Sequence, residues 1–276
     1  MKTNVYFVSV FILAILAGTL GVLNMSPKEQ SADIQKLALE KTQKQNVYHK
    51  RKKRKRRRPP CNPHRYTQTN FEQIKINSNA NVIMRRVAHP SQVRVDIQGN
   101  GVKKFVRNGV LHVNGYYFSN YGCAGRRPTV YVSFYDLKAI HHTGSGSVWV
   151  KSAFKTPELV INSNGSGNIF LQDVKSRSIK TYLKGSANVV VSGDAGIVDV
   201  KSFGTGSLQA FGLNADVVTA EVNGPGNVFV TANEIIKADL HGPGSVKYKG
   251  SAHQTFINQN FDRQAGYNSG KLIKIK

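Results

Sequence analysis

The chain has 276 residues, with 39 Lys and Arg against 15 Asp and Glu and a formal net charge of +24. Residues 61–276 alone are ample for a single buried core, so the length fits one or two domains. The charge sets aside a basic partner surface and fits an acidic one, with plain solubility as the competing account.

In chain order, the first segment is Val5 to Leu23, a 19-residue apolar stretch preceded by one Lys. It reads as a secretory signal or an uncleaved membrane anchor. Tyr6, Ser9, Thr19 and two glycines weaken it as a span. No Cys follows at a lipoprotein-type position and no A-x-A site precedes Asn24, so residues 1–25 lean toward an anchor that touches the membrane through residues 5–23. Either reading places the bulk of the chain outside the cytoplasm, in the periplasm or at the cell surface.

Residues 26–60 are polar and end in nine consecutive basic residues, Lys50, Arg51, Lys52, Lys53, Arg54, Lys55, Arg56, Arg57 and Arg58, followed by Pro59-Pro60. Such a block cannot bury itself and is expected to be a disordered basic linker. It suits an anionic polymer such as lipopolysaccharide, phospholipid headgroups or nucleic acid; the competing reading is a solubilising spacer. An export signal argues against nucleic acid. Conversely, a cationic block resists translocation, although it begins 27 residues beyond Leu23. Two cysteines remain, Cys61 after the linker and Cys123 in a Tyr121-Gly-Cys-Ala-Gly loop. In an exported protein an even count suggests a disulfide, with two free thiols as the alternative.

From residue 144 the chain repeats. GSGSV, GSGNI, GSANV, GTGSL, GPGNV and GPGSV start at Gly144, Gly165, Gly185, Gly204, Gly224 and Gly242, with spacings of 21, 20, 19, 20 and 18. A period near 20 with little drift marks a solenoid of stacked coils. Before each turn, apolar or small residues alternate with polar ones, as in Leu159, Ile161, Ser163 and Ile179, Thr181, Leu183. After each turn come a tiny residue, then Ser or Asn, then an aliphatic: Gly146-Ser147-Val148, Gly167-Asn168-Ile169, Ala187-Asn188-Val189, Gly206-Ser207-Leu208. Period-two alternation is a half-buried strand, so one coil is expected to hold about two strands of six residues joined by tight corners. Glycine suits such corners because it tolerates positive φ and lets backbones approach closely. The Ser/Asn column predicts a hydrogen-bonded ladder from coil to coil, or simple turn preference. Successive coils should pair in parallel, seven to nine in all, with residues 251–276 capping the far end. A helical reading fails, because Gly-x-Gly every 20 residues would break any helix.

Phe71-Glu-Gln-Ile-Lys-Ile76, Asn77-Ser-Asn-Ala-Asn-Val82, Val93-Arg-Val-Asp-Ile97, Asn108-Gly-Val-Leu-His-Val113 and the strand from Thr129 to Ile140 lead into Gly144-Ser-Gly-Ser-Val148. In that order, over roughly residues 70–250, they resemble the auto-transporter adhesin "head GIN" domain family. The resemblance implies a right-handed β-helix-like solenoid and a surface or adhesive role, and it supplies no catalytic residues. The chain departs from the family in its nine-residue basic run and its Gly-Pro-Gly turns.

Candidate chemistry is sparse. Gly-x-Gly turns cradle phosphate when they open a helix, whereas these open strands. His141-His142 point to opposite faces of a strand and cannot share a metal, so no metal or cofactor is expected. Asp199, Glu221 and Asp239 fall near one another, but Lys180, Lys201 and Lys237 interleave them, which favours a charge-compensated face over a catalytic set. One outward column stands out: Trp149, Phe170, Val190, Gln209, Phe229 and Lys247. Trp149, Phe170 and Phe229 would make an apolar stripe for glycans or a protein, unless residues 251–276 or an edge loop cover it. Tyr116, Tyr117, Phe118 and Tyr121 are expected to pack the N-terminal cap.

The reading is an all-β protein: a single-domain parallel β-helix-like solenoid over residues 61–276 behind the 1–25 and 26–60 segments. Its expected role is non-enzymatic, a cell-envelope or surface binder of a polymer, glycan or protein. The alternatives are a polysaccharide-acting β-helix enzyme and a binder of anionic polymers through Lys50–Arg58.

Overall fold

The computed structural model describes residues 64–67, 70–99, 101–115, 127–259 and 270–275. The apolar stretch 5–23, the basic run 50–58, Cys61, Cys123 and the 116–121 aromatics lie outside them. The described residues form an all-β protein with one short 3-10 turn at Pro90–Gln92. The strands are β1 His64–Thr67, β2 Gln73–Asn77, β3 Asn81–Arg86, β4 Arg94–Gln98, β5 Val102–Arg107, β6 Val110–Gly115, β7 Thr129–Phe134, β8 Ala139–His142 and β9 Val148–Val150. They continue as β10 Phe154–Ser163, β11 Ile169–Leu183, β12 Val189–Ser202, β13 Leu208–Val222, β14 Val228–Leu240, β15 Val246–Lys249, β16 Gln254–Gln259 and β17 Leu272–Lys274.

The solenoid has about six regular turns, each ending at one of the glycine corners. Within it the long strands pair in parallel, β10 with β11, β11 with β12, β12 with β13 and β13 with β14. The registers place equivalent residues in columns. Ile179, Val198, Val218 and Ile236 are in register, and so are Ile169, Val189, Leu208 and Val228; all eight are buried. The apolar alternation therefore faces a continuous lumen, which is the core.

Each coil departs from the expected pair of short strands. Between corners the chain runs as one bent strand of 13 to 15 residues. Pairing breaks at Leu171/Val174, Val190/Ser192 and Ala210/Asn214, which creates a third side. That side absorbs all the drift in the repeat. Ile169 to Ser178 is nine positions, Val189 to Ile197 eight, Leu208 to Val217 nine and Val228 to Ile235 seven, while these coils measure 20, 19, 20 and 18 residues corner to corner. The corner side and the strand before it stay constant in length.

The reason is the crowding at the corners. A Cβ on Gly144, Gly165, Gly185, Gly204 or Gly224 would lie 2.0 to 2.5 Å from a carbonyl oxygen of the coil behind it. Positive φ occurs instead at Gly99, Gly101, Gly109, Gly193 and Gly250, so close backbone approach, not left-handed geometry, selects glycine at the corners. In the next glycine column Ala187 is buried, so one methyl is accommodated there; the first column has no such exception.

The expected ladder forms. The N–H of Ser147 donates to Asn81 Oδ1 at 3.2 Å, Asn168 N–H to Ser147 Oγ at 3.3 Å, and Asn188 N–H to Asn168 Oδ1 at 2.9 Å. Ser207, Asn227 and Ser245 N–H continue it onto Asn188, Ser207 and Asn227 at 3.0, 3.1 and 3.0 Å, and Lys271 N–H closes on Ser245 Oγ at 3.4 Å. Corner amides that the strand ladder cannot reach are satisfied in this way.

Serial stacking of seven to nine coils is corrected at the N-terminal end. β2 lies between β6 and β8, and β3 between β7 and β9, so the first coil of the chain is sandwiched between later ones. In between, the chain runs antiparallel: β4 against β7, β5 against β6, and β1 against β4. The β5–β6 hairpin turns on Asn108-Gly109, both at positive φ, a two-residue loop whose twist matches the strands. These antiparallel strands occupy the outer side of β6 and β7. At the other end β16 and β17 add a further parallel rung on β14 and β15, with the inward-column residue Ile257 52% exposed.

Two substitutions separate corner crowding from corner hydrogen bonding. Gly165→Val forces a Cβ between the backbone atoms of Gly144 and should cost about 3 kcal/mol. Asn188→Ala strands the Ser207 amide and should cost about 1–2 kcal/mol. The neighbouring exposed Ser186→Ala should stay within about 0.5 kcal/mol, all read by denaturant unfolding.

Candidate binding surface

The strand that follows each corner alternates strictly, so one residue per coil points out at the same place. The paired registers run Tyr131, Ile83, Trp149, Phe170, Val190, Gln209, Phe229, Lys247 and Ile273. The three predicted aromatics thus belong to one ridge that is longer than the sequence indicated. Trp149 and Phe170 stack in parallel, ring centroids 5.9 Å apart at 6°. Phe229 meets Phe211 edge-on at 5.4 Å, and Lys247 and Lys249 hold their ammonium groups 5.6 and 4.8 Å from the Phe229 and Phe211 ring centres. Tyr131, 43% exposed, donates its hydroxyl to Gln98 Oε1 at 3.3 Å. Trp149, Phe170 and Phe229 are half-buried. The described part of residues 251–276 extends this ridge through Ile273 instead of lying over it.

Sequence alignment on the glycine corners missed Ile83, Tyr131 and Ile273, because their coils lack the Gly-x-Gly marker. It missed Phe211 because that residue sits two positions further along its strand. The only available signal was the alternation Asn81-Val82-Ile83-Met84 and Thr129-Val130-Tyr131-Val132.

The strand before each corner carries the charged face. Lys201 Nζ lies 2.8 Å from Glu221, and Lys180 Nζ 2.6 Å from Glu158. Glu221 also accepts from Asn223 Nδ2 at 2.8 Å. The Lys201 hydrogen bond, ahead of Asn223, holds the Glu221 carboxyl below its usual range, and the same bond raises Lys201. A carboxylate pinned in its ionised form does not serve as a general acid. Among the described residues no group of three or more His, Cys, Asp and Glu side chains is placed to hold a metal ion.

His141 and His142 diverge as expected. His141 is half-buried, its Nδ1 2.9 Å from Asn162 Nδ2, and burial together with the Lys75 charge lowers its pKa. His142 points into the lumen, 1% exposed, with neither ring nitrogen hydrogen-bonded. Ser163, in register with it on the next coil, and Thr181 and Ser202 further along are also buried with unpartnered hydroxyls. Burial lowers the His142 pKa, with the Gly146 backbone acting the other way. The folded state therefore refuses a proton that the unfolded chain accepts below about pH 6.5, so stability is lost as pH falls. Unfolding free energies at pH 7.5 and pH 5 should differ in that direction, and His142→Leu should shrink the difference while raising stability at both.

A family model described as "Putative auto-transporter adhesin, head GIN domain" matches residues 70–252. A solved structure described as a "putative adhesin" from Bacteroides fragilis is similar at 23% identity and a TM-score of 0.69, covering 78% of this chain and 96% of that one. Two proteins from Parabacteroides distasonis show the same coverage. One, described as a "putative lipid binding protein", has 18% identity and a TM-score of 0.58; the other, described as a "putative adhesin", has 19% and 0.56. At these identities the solved structures establish the fold alone. No curated protein matches the chain. No helix among the described residues is long and apolar enough to cross a membrane.

Proposed function

The chain belongs to the head GIN domain family, and on that premise we propose that it is an exported, non-enzymatic binding protein of the cell envelope, adhesin-like, whose solenoid serves as the recognition scaffold. The observation that carries the reading is the outward ridge from Tyr131 through Trp149 and Phe170 to Phe229, held in register by parallel pairing. Aromatic groups at the surface of a rigid sheet offer flat apolar area at little conformational cost, which suits the faces of sugar rings or an apolar strip of a protein. The cationic Lys247 and Lys249 at one end of the ridge add affinity for an acidic partner. The N-terminal apolar stretch 5–23 is assigned to export or anchoring, and the basic run 50–58 to contact with anionic envelope material. A polysaccharide-cleaving role finds less support, since Glu221 on the carboxylate-bearing face is tied to Lys201.

Trp149 is the only tryptophan of the chain, so its fluorescence reports on the ridge directly. The full chain should be titrated with peptidoglycan fragments, lipopolysaccharide, neutral oligosaccharides and phospholipid vesicles. The expected outcome is a saturable change in Trp149 emission with one of them and roughly tenfold weaker binding by Phe170→Ala, with the β-sheet circular dichroism retained. Binding that leaves both the emission and the Phe170→Ala affinity unchanged would place recognition elsewhere.

A further inference from the structure

The third side of the coils carries a different surface. An open groove of about 990 Å³ crosses five coils there, from Lys155 to Asn233. Its cationic end is made by Arg86, Lys155, Lys175 and Arg177, its other end by Asp194, Asn214, Asp216 and Asn233. The floor is small: Thr156 and Ser176 turn their hydroxyls onto the carbonyls of Glu158 and Ser178 at 3.1 and 2.8 Å, and Ala195 and Gly196 follow them. A side chain at Gly196 would fill the space beside Arg177, its Cβ 2.9 Å from the Arg177 carbonyl oxygen.

The charges at the cationic end are arranged against the interest of the fold. Lys155 and Lys175 are directly in register on adjacent strands, with Arg177 two residues on. Like charges placed so destabilise a sheet. On the strand before the corner the solenoid meets the same problem with acids, in the pairs Lys180–Glu158 and Lys201–Glu221 at 2.6 and 2.8 Å. In the groove only a loose 3.7 Å approach of Lys175 to Asp194 is present, both side chains more than half exposed. Among the described residues Lys155 and Arg177 have no ion-pair partner.

We propose that this groove is a second binding site, separate from the aromatic ridge, and that it takes an acidic polysaccharide laid along the solenoid axis. Carboxylates of the glycan meet Lys155, Lys175 and Arg177, the last able to bind in a bidentate manner. Sugar hydroxyls meet Asp194, Asp216 and Asn233, side chains that accept or exchange hydrogen bonds with them. The length favours a linear chain: four coil steps at about 4.8 Å each give a track of about 19 Å. The groove has no aromatic lining residue on which bases would stack, which argues against single-stranded nucleic acid. Most of its lining residues are polar or charged, unlike a membrane-inserting face.

The probe is oligogalacturonate, titrated into the full chain by calorimetry beside a neutral galacto-oligosaccharide of equal length, duplex DNA and phosphatidylglycerol vesicles. Wild type is expected to bind oligogalacturonate in a salt-sensitive way and the neutral analogue far more weakly, without altering Trp149 emission. Lys175→Ala/Arg177→Ala should weaken oligogalacturonate binding by tenfold or more while leaving the melting temperature equal or higher, because repulsion is relieved. Asn233→Ala should weaken it several-fold, Asp216→Asn should leave it equal or tighter because a carboxylate facing the polyanion is removed, and replacing residues 50–58 by Ser should leave it intact. Equal affinity of wild type and the Lys175→Ala/Arg177→Ala variant would overturn the proposal. So would loss of binding with the 50–58 replacement, preference for DNA or vesicles, or no binding at all. None of these outcomes bears on the ridge, whose readout is Trp149.

Discussion

The stacking of one corner directly upon the next is the constraint from which the rest of the structure follows. Each first-column glycine leaves room for a carbonyl of the coil behind, and each Ser or Asn beside it takes the next coil's amide. Together they fix both the distance and the register between coils. With the corner fixed, parallel pairing carries the same register into the flanking strands, and a period-two pattern becomes a set of straight columns. A slip of one residue at any corner would turn the lumen columns outward, so the corner protects the core as well as the backbone. Variation is confined to the third side, where coil lengths differ and glycines such as Gly193 and Gly212 do not fall in one register column.

Columns are what give such a protein its functional surface. A single outward aromatic on a strand means little, but the register sets Trp149 on Phe170 and aligns Tyr131, Ile83, Val190 and Phe229 with them. The same geometry aligns cations with acids on the strand before the corner and leaves Lys155 against Lys175 on the third side. The three sides therefore differ in chemistry while sharing one backbone: an apolar ridge, a compensated charged face and a groove with uncompensated cations. A rigid scaffold of this kind presents extended surfaces more readily than it builds an enclosed reaction site, in keeping with the adhesin-type family to which it belongs.

Much of this was legible in the residues. The glycine spacing encodes the coil, the alternation around Ile161 and Thr181 encodes the lumen, and the Asn/Ser column encodes the ladder, because all three signals are local and repeat. The features that were not legible depend on non-local choices. Nothing near Gln73 or Asn81 indicates that β2 and β3 will be flanked by β6 and β7 on one side and β8 and β9 on the other, since every coil presents the same edge chemistry. Asn108-Gly109 between alternating segments is a hairpin signal, but its antiparallel consequence is not visible from the parallel pairing that the glycine repeats imply. The third side escaped notice because the buried column Phe154, Val174 and Leu213 that marks it is interrupted by Gly193 at the same place in the coil between. His142 was placed correctly opposite His141, but that it enters a lumen shared with Ser163 needs the coil register.

The most direct test of the central constraint is native-state amide hydrogen exchange, resolved by residue, at the corners. The amides of Asn168, Asn188, Ser207, Asn227 and Ser245, bonded to side chains of the preceding coil, should be protected to the same degree as strand amides of Val189, Leu208 and Val228 and should exchange only with them, in large cooperative openings. Exchange of those five amides at rates typical of exposed loops, while the strands stay protected, would mean that the corners merely connect the coils and that side-chain packing in the lumen sets their register.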